Sequence, residues 1–114
     1  MDDLVRWFGQ QLDEDERTAR AATPGPWRAG VRSGLDVVDG DGWTVCNASD
    51  VDAAHIAAHG PTRVLREIDA KRRIVADAAE YQSGMYGYPE MRDVLRLLAL
   101  PYAGRPGYRD DWRP

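Results

Sequence analysis

The stretch DAAHIAAHGPTRVLREIDAKRRIVADAAEY, Asp52 to Tyr81, decides how this chain folds. From Val64 its apolar positions are Val64, Leu65, Ile68, Val75 and Ala79, with the aliphatic stem of Arg72 filling the remaining place. That spacing repeats with the turn of a helix, not with the alternation of a strand. Gly60-Pro61 interrupts the run. Glycine suits a left-handed residue after a helix end, and proline suits the first turn of the next helix. The pattern predicts a short helix over 52–58, a left-handed corner at Gly60, and a long helix from Pro61 to Tyr81. Asp50 and Asp52 are the candidate caps of the short helix. Glu67–Lys71 and Asp69–Arg73 are acid-first i,i+4 pairs, which mark an exposed face on the long one.

Working outward, residues 3–22 form a second helical pattern. Leu4, Phe8, Leu12 and Ala19 share one face, Val5 and Trp7 flank it, and Asp13–Arg17 and Glu16–Arg20 are again acid-first pairs. The acidic run Asp13 to Glu16 reads as a solvated helix face. Thr23-Pro24-Gly25-Pro26-Trp27 ends this helix and feeds the chain into extended segments. Three short strands follow, Trp27–Val31, Leu35–Val38 and Trp43–Asn47, the last two joined by the hairpin signal Asp39-Gly40-Asp41-Gly42. So small a sheet needs a cover, for which the two long helices are available. Pro89 to Leu100 is the last helix, with Met91, Val94, Leu95, Leu98 and Ala99 inward and Pro101 as its stop. The tail from Tyr102 to Pro114 has no periodicity, but its tyrosines and tryptophan predict an ordered segment. The fold class is therefore α+β: a single domain over 1–114, with an antiparallel meander of two to three strands, three main helices and an ordered aromatic C-terminal tail.

At 114 residues the chain has the size of one independently folding domain. Its 43% apolar and 30% charged content fits a soluble globular protein rather than a disordered one. Four Trp and five Tyr stand against one Phe, so many rings carry a polar tip that needs a partner at a core edge or an interface. A net charge of −4 argues against a protein held to nucleic acid by phosphate contacts. The single cysteine excludes an internal disulfide. The acidic opening Met1-Asp2-Asp3 is no signal peptide, and no apolar run has the length of a membrane span, so the expected location is the cytoplasm.

Two resemblances rest on these segments. The order helix, TPGPW, strands with a DG turn, then DAAHIAAHGPTRVLREID resembles the Ead-type early proteins of phages and prophages over Thr23 to Asp69. Almost the whole chain is similar to small actinobacterial proteins of unknown function, through HIA, RVLREIDAKRRIV and the closing LRLLALPYAGRPGYRDDWRP. The resemblances imply a fold, a phage or mobile-element setting and a complete protein at 1–114. They imply no catalytic mechanism.

Three groups of residues are candidates for function. His55 and His59, four apart on a helix, share a face as two metal ligands would, and Cys46 lies upstream as a third. Against this, His59 precedes Gly60, where an imidazole bonds the last helix carbonyls. Arg63, Arg66, Lys71, Arg72 and Arg73, with Arg96, make a basic stripe for nucleic acid, but Glu67 and Asp69 blunt it and no stacking aromatics are interleaved. Tyr86, Tyr88, Tyr102, Tyr108, Arg109 and Trp112 belong to the residue types enriched at interface hot spots, and they either complete the core or meet a partner. No nucleophile elbow and no phosphate-binding glycine loop is present. The expectation is a non-catalytic binding or adaptor protein with no cofactor. Its contacts would be to another protein or to a second copy as a homodimer, with no membrane partner.

Overall fold

The side chain of Asp39 holds the hairpin. Its Oδ1 accepts from the backbone N–H of Asp41 and of Trp43, both at 2.9 Å, so a buried carboxylate is satisfied by the turn it shapes. In this computed structural model, which describes residues 1–114, the strands around that turn are β1 (Arg28–Ala29), β2 (Asp36–Val38) and β3 (Thr44–Asn47). They form one antiparallel sheet in the order β1-β2-β3, with Arg28 opposite Val38, Val37 opposite Cys46, and a bulge between Val37 and Val38. Asp36, also buried, accepts from the N–H groups of Arg32 and Ser33 at 3.3 Å and so ties down the loop before β2. The helices are α1 (Asp2–Ala21), α2 (Asp50–Ala58), α3 (Pro61–Ala79) and α4 (Tyr88–Ala99). Single 3₁₀ turns follow at Leu100–Tyr102 and Asp110–Trp112. None of these helices is long and apolar enough to cross a membrane.

The chain forms two compact units, Asp15–Ile68 and Met1–Glu14 with Asp69–Pro114. In the first, the sheet is covered by α2, which packs on β1 and β2, and not by the long helices that the sequence pattern offered. Fully buried Ala53 is small enough to let α2 lie close over Val37 and Val38, which are fully buried too. The helix starts at Ser49 rather than at Asp50 or Asp52, the Ser49 hydroxyl accepting from Asp52 N–H at 3.3 Å.

Gly60 differs from expectation in a more instructive way. Its φ is not positive, so no left-handed corner is needed there. Trp27 of the Pro-Gly-Pro-Trp element instead lies directly on it: a Cβ at Gly60 would sit 3.0 Å from Trp27 Cβ and 3.3 Å from the Ala57 carbonyl oxygen. The same element touches the hairpin, where Gly40 N–H donates to Pro24 O at 2.6 Å. The segment is a wedge between the turn and the start of α3.

The second unit is built on the N-terminal part of α1, whose Leu4, Trp7, Phe8, Gln11 and Leu12 are all buried. Leu95, Ala99, Tyr102, Trp112 and Ala78 of this unit are buried as well. The apolar stripe of α3 ends on Ala78, one position before the expected Ala79. On α4 the buried residues are Leu95 and Ala99, while Val94, expected inward, is exposed.

Two glycine substitutions of opposite sign test this packing. Gly60→Ala crowds Trp27 and lowers stability by about 1–3 kcal/mol, in the range of overpacked cores. Gly9→Ala, on α1 with nothing near the added methyl, raises it by about 0.5–1 kcal/mol through helix propensity. Urea denaturation of both variants measures the pair.

Candidate functional site

The C-terminal segment is fixed by one ring. Trp7 Nε1 donates to the carbonyl of Pro106 at 3.0 Å, and its ring centroid lies 5.5 Å from that of Tyr108 and 5.4 Å from that of Trp112. Tyr108 and Trp112 meet edge to face at 5.8 Å, a favoured aromatic geometry. Gly107 lets the chain pass: its φ is +87°, and a Cβ there would lie 2.8 Å from Trp7 Nε1. Further back, Tyr102 packs edge-on against Phe8 at 5.3 Å and takes a hydrogen bond from Lys71 Nζ at 3.1 Å.

Arginines lie over these rings. The guanidinium of Arg105 stands 4.7 Å from the Tyr102 centroid, that of Arg109 5.5 Å from Trp112, and that of Arg113 5.7 Å from Tyr108. Arg109 is further held by a two-pronged pair with Asp111, at 3.0 and 2.8 Å, and by Asp3 at 3.3 Å. Of the six residues singled out as an interface, Tyr102 and Trp112 are buried, Tyr88 and Tyr108 are half-buried, and only Tyr86 and Arg109 are exposed. Most of these rings complete the core of their own chain.

In this unit an exposed apolar row runs along α4 and into the turn after it. Val94, Leu97 and Leu100 follow one another at three-residue spacing and are all exposed, Leu97 by 59%. Met85 and a wholly exposed Tyr86 precede the helix. Arg92 and Arg96 of the same helix are only partly exposed, and their Nε atoms are buried without an acceptor. The helix therefore turns part of its apolar surface outward and two arginines inward. On a helical wheel Arg92 and Arg96 fall beside Leu95 and Ala99, a signal that was available in the sequence.

The other candidates are placed as follows. His55 and His59 are exposed and stacked, ring centroids 4.4 Å apart, and His59 Nδ1 donates to the His55 carbonyl at 2.8 Å. Cys46, half-buried on β3, does not join them, and no group of three His, Cys, Asp or Glu side chains is arranged to hold a metal ion. The basic stripe is largely paired: Arg63 with Glu67 at 2.9 Å, Arg73 with Asp69 at 3.1 Å, and Arg72 with Asp13 at 2.8 Å. Lys71 bonds Tyr102, and Arg66 lines a shallow cleft beside Trp27.

Comparison with known proteins adds one finding. A family model described as a family of unknown function (DUF6221) matches residues 1–114. No curated protein and no solved structure shows significant similarity to the chain.

The division between core and surface rings is measurable. Trp112→Ala lowers stability by about 3–5 kcal/mol, the cost of emptying a packed aromatic site. Tyr86→Ala, with nothing buried to lose, leaves the denaturation midpoint where it was.

Proposed function

This chain belongs to the DUF6221 family, and we propose that it is a non-catalytic binding or adaptor protein working through protein–protein contacts. The observation that carries the reading is the outward apolar row of Val94 and Leu97 on α4 and Leu100 just after it, with Met85 and Tyr86 ahead of it. A helix that exposes large aliphatic side chains in series, while half-burying charged ones, is the informative exception to ordinary amphipathic packing. Such a row fits the apolar face of another protein or of a second copy of this chain. Of the rings expected to meet a partner, Tyr86 is the fully exposed one and is part of the proposed surface, whereas Tyr102 and Trp112 are buried. A phage or mobile-element setting rests on the likeness of the Thr23–Asp69 segment to Ead-type early proteins. An actinobacterial source rests on the likeness of the whole chain to small actinobacterial proteins.

Light scattering after size exclusion, followed by affinity capture with mass spectrometry, tests the surface. The double variant Val94→Glu/Leu97→Glu loses the second copy or the captured protein at least about tenfold while its melting temperature holds. A wild type that is monomeric and captures nothing beyond what the variant captures contradicts the proposal.

A further inference from the structure

Helix α4 borders a pocket of about 190 Å³ whose lining includes Arg92, Arg96, Arg109, Asp3, Asp111 and Trp112. Its charges are unequally matched. Both carboxylates are engaged by Arg109, Asp111 through two hydrogen bonds and Asp3 through one, and the other oxygen of Asp3 lies 3.5 Å from Arg6. Arg92 has only Asp93 nearby, at 3.7 Å, beyond hydrogen-bonding distance, and Arg96 makes no ion pair. Yet the two sit one helical turn apart, a like-charged spacing that is itself unfavourable, with both Nε atoms buried and no protein acceptor for either.

A half-buried guanidinium ordinarily has a carboxylate to offset its lost hydration. Here Arg96 has none and Arg92 has only Asp93 at 3.7 Å, so the pair, at the edge of a small cavity, forms a receptor for oxygens carried on something else. Their stems are buried at Nε, and the Arg92 side chain as a whole is 39% exposed, so the terminal Nη groups are the reachable ends. Planar guanidinium groups match the paired oxygens of an oxyanion, and two together match one that carries more than a single charge. Arg109 lines the same pocket and is already bonded to both carboxylates. We infer that this pocket binds an oxyanion of the phosphate or carboxylate type, held by Arg92 and Arg96. The inference does not depend on the apolar row.

The probe is inorganic phosphate, added to the full chain against chloride at matched ionic strength, with acetate as a separate arm. The readout is the nitrogen-15 NMR signals of the arginine side chains. Phosphate is expected to move the Arg92 and Arg96 signals saturably, with a dissociation constant on the order of 1–10 mM for a small, exposed site. Arg92→Gln or Arg96→Gln weakens it at least about fivefold, and Arg6→Gln leaves it unchanged. An equal response to acetate assigns the site to carboxylates, and a response to phosphate alone assigns it to phosphoryl groups; either supports an oxyanion site. Signals that stay still up to about 50 mM phosphate, or that move as much with chloride, overturn it. If a glutamine variant does not fold, the wild-type titration decides alone.

Discussion

The indole of Trp7 is the constraint on which the C-terminal third depends. A residue on the second turn of α1 reaches across about a hundred positions of sequence to bind Pro106, and its faces seat Tyr108 and Trp112. Without it a segment with no helical or strand period has no reason to be ordered. Buried N–H groups need acceptors, and here a single carbonyl supplies one while a glycine clears the space beside it. Fixing that strap also fixes Arg109, which the chain then pairs with Asp111 and with Asp3 at the start of α1. The walls of the arginine pocket are thus a consequence of aromatic packing some residues away.

Helix α4 works against this background. Its buried side, Leu95 and Ala99, is narrow because Arg92 and Arg96 take the positions next to it. Val94 and Leu97 are exposed, as is Leu100 just past the helix end. Arg92 and Arg96 themselves keep their Nε atoms buried without an acceptor. In the other unit the acids behave in the opposite manner. Asp36 and Asp39 are buried, yet each is satisfied by local backbone N–H groups, so their burial stabilises turns and offers nothing to a ligand.

Much of this architecture is legible from residue spacing. The rhythm of Val64, Leu65 and Ile68 marks α3, the Asp-Gly repeat marks the hairpin, and the Pro-Gly-Pro-Trp element marks the end of α1. The reason for Gly60 is not legible, because it is Trp27 pressing from a distant position rather than any local dihedral demand. The fate of the terminal tyrosines and tryptophan is equally hidden. Such rings suit both cores and interfaces, and an aperiodic segment gives no phase to choose between them. Apolar spacing alone predicts Val94 inward, because it does not register the two arginine stems beside Leu95 and Ala99. The histidine pair illustrates the limit from the other side. Its i,i+4 spacing does bring the rings together, but stacked, with one nitrogen already spent on a helix carbonyl.

Exchange of the four indole N–H protons with solvent, followed by NMR, probes the clasp most directly. Trp7 is buried and bonded to Pro106 O, whereas Trp43 is 70% exposed. The account predicts that the Trp7 indole proton exchanges far more slowly than that of Trp43, at a rate set by opening of the whole second unit. A Trp7 proton that exchanges as fast as that of Trp43 would mean the strap is not held, and the account would fall with it.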